Sequence, residues 1–345
     1  MGTAQPATGE LATTSVEDDE VVFRLADPDH EREQVTLWLD LVLPAQWPKD
    51  LAMTAVDGGW ELRLPFPDLD CLEYMFDAGG GLGLDPGNPD QVDGAFGPHS
   101  FLALPGYEPP AWLEAEGRPG QRHQVSVGDI DLEVWEPAGH EGQALPLLVV
   151  HDGAEMEAYG RIVQYAATRP PMRVALLSPG QDRDGRYAAN AAYADALVEE
   201  VLPAIRAAFE TRAKPVLVGQ SLGGLAALHA GWLHPDVFAG LVLQSGSFFT
   251  PVLDPQESGY AQFEQVAGFV ASVHESTGAP LGLPPVVMTC GTAEENLANN
   301  RLLHTHLLDL DVPVAWGEVR QGHTWTCWRD SLHPHLGDLL SRVWG

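Results

Sequence analysis

Ser221 stands in Gly219-Gln-Ser-Leu-Gly223, directly after the apolar run Pro215-Val-Leu-Val and before a stretch rich in leucine, alanine and glycine. A serine on a sharp strand-to-helix turn, flanked by glycines because a Cβ would collide with neighbouring backbone, is a nucleophile elbow. The turn lifts the hydroxyl clear of the sheet and leaves the Leu222 N–H at a helix N-terminus, where a developing oxyanion would sit. With 36 glycines in 345 residues, five letters alone carry little weight. The flanks decide it. A buried strand before the motif, the small residues Ala226, Ala227, Ala230 and Gly231 after it, and a second apolar run at Gly240-Leu-Val-Leu-Gln244 compose one strand-helix-strand unit. The chemistry predicted is acyl transfer through a serine nucleophile.

Such a serine needs a base, an acid and a second oxyanion donor. In this architecture the order along the chain is serine, acid, histidine, each on a loop at the carboxyl end of a strand. Of the 13 histidines, His229 and His234 belong with the helix after the elbow, His304 and His306 with a later helix, and His333 and His335 with the closing one. His323 alone occupies a loop after the last expected strand, in Gln321-Gly-His-Thr-Trp325, and is the expected general base. Cys290-Gly-Thr-Ala-Glu-Glu-Asn296 supplies the acid: Glu294 is the first choice and Glu295 the alternative. The competing reading makes both ordinary acidic residues in the first turn of the next helix. The second oxyanion donor is expected in Val149-Val-His151-Asp152-Gly153-Ala154, from the N–H of Gly153 or Ala154. His151 and Asp152, being adjacent, do not make a metal site and are expected to shape this loop. No metal and no cofactor are expected.

The elements that must position these residues begin near Gly120. Strands Asp129–Trp135, Leu145–Val150 and Val174–Leu177, helix Ala191–Phe209 and the elbow come first. Strand Leu241–Gln244, helix Phe263–Glu275, strand Val286–Thr289, helix Leu297–Leu308, strand Val312–Trp316 and helix Trp325–Val343 follow. The alternation predicts an α/β-hydrolase domain over 120–345, with a mostly parallel sheet and helices on both faces. Before it, Glu20–Leu25, Gln34–Val42, Trp60–Leu64 and Leu72–Phe76 alternate as half-buried strands do, with Gly58-Gly59 and Gly79-Gly80-Gly81 as turns. They predict a small all-β, immunoglobulin-like sandwich domain over 20–113. The stretch opening at Asp85-Pro-Gly-Asn-Pro89 reads as irregular covering loop and linker, anchored on the next domain by Trp112-Leu113. Residues 1–19 carry neither a basic nor an apolar leader segment and read as a disordered tail.

Composition excludes several functions. At 45% hydrophobic and 19% charged residues, the chain can bury a large core. Its 49 acidic against 18 basic residues give a formal charge of −31, a field that repels nucleic acid and anionic membrane, so neither is an expected partner. No apolar run approaches the roughly 18 residues of a membrane span. Cys71, Cys290 and Cys327 are scattered without C-x-x-C spacing, which suggests neither zinc nor a disulfide framework and fits a cytoplasmic location.

With these residues in place, the chain resembles the esterase D-like branch of the α/β-hydrolases and, within it, the enterochelin (ferric siderophore) esterases. The matching pieces are Asp152-Gly153, Gly219-Gln-Ser221-Leu-Gly-Gly224, Gln244-Ser-Gly-Ser247, Gly291-Thr-Ala-Glu294, Asn300, and Gly322-His323 leading into Cys327-Trp328-Arg329. The N-terminal part, including Asp85–Pro89, looks like that family's β-sandwich domain. The resemblance implies hydrolysis of the serine trilactone backbone of a catecholate siderophore such as enterobactin, aiding intracellular iron release. The iron would arrive with the substrate, and the sandwich would help wall the cleft. Where related sequences carry Arg-x-x-Glu-Leu, this chain has Arg183-Asp-Gly-Arg186-Tyr. An anionic ferric catecholate would need a local positive patch in so acidic a protein. Arg183, Arg186, Arg320 and Arg329, with Trp325, are the expected substrate contacts, and plain salt bridging is the competing role for the arginines. The alternative activity is a general carboxylesterase on feruloyl or acetyl esters of carbohydrate, with the sandwich as a glycan-binding module.

Overall fold

The computed structural model describes residues 13–345. They form two compact units: the chain up to Glu108 together with Arg320–Thr324, and Pro109–Val319 together with Trp325–Gly345.

In the first unit the strands are β1 (Ser15–Glu17), β2 (Glu20–Ala26), β3 (Thr36–Leu39), β4 (Thr54–Val56), β5 (Gly59–Pro65), β6 (Cys71–Asp77), β7 (Leu82–Gly83), β8 (Gln91–Val92) and β9 (His99–Ala103). They make two antiparallel sheets, ordered β1-β2-β5-β4 and β3-β6-β9-β8, with β7 added to β6. The Phe23 ring of β2 meets Tyr74 of β6 edge-on at 5.1 Å, which joins the two sheets through aromatic packing. Strand β2 departs from simple alternation: Val21 to Leu25 are all buried, Arg24 included. Its guanidinium is covered by Glu17 and by Glu61, the residue directly opposite it on β5.

Two expectations are corrected here. Ser15–Glu17 pairs with β2, so the described part of the expected tail is a strand and turn; residues 1–12 lie outside the described residues. Asp85–Pro89 is more than covering loop. Asp85 is buried and accepts hydrogen bonds from Tyr74 Oη (2.7 Å), Thr14 Oγ1 (2.8 Å) and the Gly87 N–H (2.8 Å), which fastens the turn into the core of this unit.

The second unit contains β10 (Gly120–Val127), β11 (Ile130–Pro137), β12 (Leu147–Val150), α1 (Gly153–Ala158), α2 (Ile162–Ala167), β13 (Arg173–Leu177), α3 (Arg183–Tyr187) and α4 (Ala191–Ala196). A π-helical turn over Leu197–Val201 joins α4 to α5 (Leu202–Ala208). Then come β14 (Val216–Gln220), α6 (Leu222–Leu233), β15 (Gly240–Gln244), α7 (Phe263–His274), β16 (Val286–Gly291), α8 (Leu297–Asp309), β17 (Val314–Val319), α9 (Trp325–Asp330) and α10 (His335–Trp344). The eight strands run β10-β11-β13-β12-β14-β15-β16-β17; β10, β11 and β13 pair antiparallel and the rest parallel. Both faces are covered. Val149 and Leu217 pack into one core with α4, α6 and α7, while Leu148, Val150, Val216 and Val218 pack into another with α2 and α10.

Sequence periodicity misses β10, whose residues alternate between exposed and half-buried and carry no apolar run. It also extends one helix too far. Trp325–Val343 is two helices, because Pro334 lacks the N–H a continuous helix needs and bars helical backbone at the residue before it. Trp112 packs on Tyr165 at 5.2 Å within this unit. Among the described residues no helix is long and apolar enough to cross a membrane.

Arg173 at the start of β13 is wholly buried and clamps Glu136 with two bonds of 2.9 and 2.6 Å, while its remaining N–H groups reach the carbonyls of Glu210 and Gln143. Removing one partner of a buried pair strands the other charge, at about 3–5 kcal/mol, whereas replacing both with apolar groups costs much less. Arg173→Met is therefore expected to lower unfolding free energy in urea by about that amount, and adding Glu136→Leu to recover part of it. A double variant no more stable than the single would contradict this reading of the pair.

Candidate active site

At the carboxyl end of β14 the chain turns through Ser221 with φ 53° and ψ −122°, a region L-residues rarely enter. Backbone bonds hold it there: the Ser221 N–H donates to the Gln244 carbonyl (2.9 Å), and the Ser221 carbonyl accepts from Gly224, Leu225 and Ser247 at 3.0–3.2 Å. The flanking glycines are not equivalent. A Cβ at Gly219 would stand 2.0 Å from the Gly223 carbonyl oxygen, an impossible contact, while one at Gly223 would stand 3.2 Å from His151 Cβ. The Ser221 side chain does not cap α6, whose first N–H belongs to Leu222. Its hydroxyl lies 3.3 Å from that of buried Ser247.

The loop after β12 is tied to this turn. His151 is fully buried, and its Nδ1 is 2.9 Å from the Gly223 carbonyl oxygen; since a carbonyl can only accept, Nδ1 carries the proton. The ring rests against Tyr187 at 4.8 Å, and burial pushes its pKa down to about 4, so it is neutral. Asp152 takes left-handed backbone (φ 48°, ψ 46°) and is gripped on both carboxylate oxygens by Arg183, at 2.8 and 2.7 Å. Gly153 begins α1 so close under β13 that a Cβ would come within 2.4 Å of the Leu176 backbone. Ala154 follows it and is exposed.

Glu294 and Glu295 are separated by burial. Glu294 is 5% exposed; its Oε1 accepts from Ser245 Oγ at 2.7 Å and from the Gly291 N–H, and Trp328 Nε1 donates to Ser245 Oγ at 2.9 Å. Glu295 is exposed. Ser245 itself has φ 48°, and its turn is clamped from α8: Asn296 Nδ2 reaches the Ser245 carbonyl (3.2 Å), and the Asn300 side chain bonds both the N–H and the carbonyl of Gly246. Beneath them Gln220 Nε2 donates to Gln244 Oε1, and Gln244 Nε2 reaches the Trp328 carbonyl and Ser331 Oγ.

The remaining candidates stand as follows. His323 lies after β17 in Arg320–Thr324, the segment that belongs to the first unit. A Cβ on its neighbour Gly322 would meet the Asp40 carbonyl oxygen at 2.6 Å. Trp325 begins α9 and stacks edge-on with Trp328 at 4.7 Å. The four arginines are not unpaired cations. Arg183 holds Asp152, Arg186 holds Asp129, Arg320 holds Asp68 and Asp70, and Arg329 holds Asp330. Ser245, Ser247, Asn296 and the His151 tie have no part in the sequence-derived site. A signal for the two serines exists in Gln244-Ser-Gly-Ser247, two hydroxyls around a glycine immediately past a buried strand, although their roles do not follow from it.

The family model described as "Putative esterase" matches residues 126–339, more than half of the chain. The iron(III) enterobactin esterase of Escherichia coli K12 is 34% identical over 154 residues, which is 44% of this chain and 36% of that protein, so the aligned stretch spans little more than a third of the relative's length. Among solved structures, the ferric enterobactin esterase of Salmonella typhimurium superposes with a TM-score of 0.77 at 21% identity, covering 94% of each chain. The enterobactin esterase of Shigella flexneri crystallised in the presence of enterobactin gives 0.71 at 22% identity, covering 94% of this chain and 93% of that one. These likenesses establish the fold.

The buried, neutral His151 has a measurable consequence. Its folded pKa of about 4 lies below the ordinary 6.5, so the unfolded chain binds a proton first as pH falls. Stability is intact above about pH 6.5, declines towards about pH 4 and then levels, by up to about 3 kcal/mol for this group. His229, also pushed to about 4 by burial, adds a loss of the same sign. The difference between wild type and His151→Asn isolates His151, because asparagine retains an N–H donor near the position of Nδ1. Urea melts at several pH values should show the variant losing less stability on acidification; parallel curves would refute the assignment.

Proposed function

The chain belongs to this esterase family, and from that premise we propose that it hydrolyses the ester backbone of a catecholate siderophore, opening a serine trilactone of the enterobactin type so that bound iron can be released. The stretch of 34% identity to the iron(III) enterobactin esterase carries the reading. The fold likeness to solved enterobactin esterases, which extends over 94% of the chain and so is not confined to 126–339, supports it. On this reading the two antiparallel sheets before Glu108 are the sandwich domain of that enzyme type, of immunoglobulin-like kind.

In the proposed mechanism Ser221 Oγ attacks the lactone carbonyl while His323 takes its proton. Glu294 holds the imidazole tautomer and balances the imidazolium. The carbonyl oxygen, now carrying the charge, is met by the N–H of Leu222 and by that of Gly153 or Ala154. Collapse expels the seryl alkoxide, which receives the proton from His323, and a water activated by the same histidine releases the acyl group. What supports Ser221 is its backbone conformation and its place at the start of α6. Support for Glu294 over Glu295 comes from burial and from two donors on one oxygen, which leave the carboxylate a single orientation. His323 is supported by chain order and by its place after the last strand.

Of the expected substrate contacts, Trp325 offers an aromatic surface for a catechol ring. Arg183, Arg186 and Arg329 would act through N–H groups beyond those holding their carboxylates, which lowers the local negative field without making a strongly basic patch.

Ser221→Ala is expected to lower kcat on a nitrophenyl ester by several orders of magnitude. Glu294→Gln should cost about 10³–10⁴-fold, comparable with loss of a triad acid elsewhere, and Glu295→Gln less than about threefold. Equal effects of the two glutamine variants would reassign the acid. Ferric and iron-free catecholate trilactones, assayed beside feruloyl and acetyl sugar esters, test the substrate: turnover of the sugar esters with none of either trilactone would replace the siderophore reading by the carbohydrate-esterase one.

A further inference from the structure

At the other end of the parallel strands lies a second concavity of about 300 Å³, at the low end of the range for small-molecule sites. Its wall takes in Pro146 just before β12, Met172 just before β13 and Arg212 ahead of β14, so it opens at the amino edge of the sheet. Ser221 follows the carboxyl end of β14, and a strand of five residues spans about 17 Å. The two places are separate.

Two guanidinium groups line this cavity. In a chain of net charge −31, many arginines, Arg24 and Arg329 among them, hold carboxylates. Among the described residues, Arg169 and Arg212 have no carboxylate within ion-pairing distance, and both line this cavity. The Arg169 guanidinium lies over the Tyr165 ring, 4.5 Å from its centroid, which fixes its plane, yet its Nε is buried without a hydrogen-bond partner. Asp338 is the one acidic side chain in the lining, and His333 adds a ring. Apart from Ser341, the side chains of the rest of the wall are apolar: Pro146, Pro170, Pro171, Met172, Leu340 and Trp344.

We propose that this cavity is a binding site for a small monocarboxylate with a flat apolar body, an aryl carboxylate, whose carboxylate bridges Arg169 and Arg212 while its ring packs on Trp344 and Leu340. A polyanion such as phosphate would press hydrated charge against apolar walls and meet Asp338. Guanidinium groups match the planar carboxylate geometrically, and their hydrogen bonds to it are charge-assisted. The proposal does not depend on the esterase substrate.

The test is calorimetric titration of the intact protein with 2-naphthoate, repeated with 2-naphthamide, which keeps the body and lacks the charge, and with acetate, which keeps the charge and lacks the body. Saturable 1:1 binding of naphthoate is expected, at least tenfold tighter than either control. Arg212→Gln, at an exposed position, should weaken it about tenfold or more while leaving hydrolysis of a nitrophenyl ester unchanged; Arg169→Gln should do the same, with the thermal midpoint confirming that it folds. Ser221→Ala should bind naphthoate as wild type does. The proposal is overturned by absence of saturable binding, by equal affinity for naphthamide, by binding insensitive to both arginine changes, or by binding lost when Ser221 is blocked with a phosphonate, which would place the ligand at the elbow instead.

Discussion

Ser221 is held at φ 53° and ψ −122°, a backbone state that costs about 1–3 kcal/mol and persists only where its surroundings over-determine it. Here the surroundings are the centre of the sheet. Its N–H is bound to the end of β15, its carbonyl to the first turn of α6 and to Ser247, and the missing side chain of Gly219 lets Gly223 approach closely enough to close the turn. The strain is therefore supported by packing on both faces of β14, where Leu217 faces one core and Val216 and Val218 the other. His151 adds a side-chain tie between the turn and the loop after β12, so the two places proposed to supply oxyanion N–H groups are joined through a hydrogen bond. Donors fixed in this way before substrate arrives need no reorganisation during reaction.

The same economy of freedom governs Glu294, the proposed acid. A carboxylate inside a protein is tolerable only when hydrogen-bonded, and Glu294 receives Ser245 Oγ–H and the Gly291 N–H on one oxygen, with Trp328 Nε1–H in turn fixing the Ser245 hydroxyl. Asn296 and Asn300 then hold the turn on which Ser245 sits. A chain of buried polar groups thus runs from α8 through the end of β15 to the carboxylate. Each member is satisfied by the next, and that makes the arrangement rigid.

Legibility in the sequence followed length scale. The β14 strand, the elbow, α6 and β15 show plainly, because a buried parallel strand is a continuous apolar run and the turn residues are sterically obligatory. Strand β10 does not, since its buried positions are only half covered; α1, α2 and α3, of five or six residues each, are too short to display a helical period. The difference in burial between Glu294 and Glu295, on which the proposed choice of acid rests, is not encoded by neighbouring letters. Arginine roles are least readable of all. The partners of Arg183 and Arg186 stand 31 and 57 residues away, so whether a cation is engaged depends entirely on the fold.

The first unit is discontinuous: the chain leaves it after Glu108 and re-enters it for the five residues Arg320–Thr324. Within that unit Gly322 fits against Asp40 and Leu41, and Arg320 engages Asp68 and Asp70. The strands before Glu108 are thus not a detachable prefix. Recombination at that boundary would leave a downstream fragment whose His323 loop had lost the surface that shapes it.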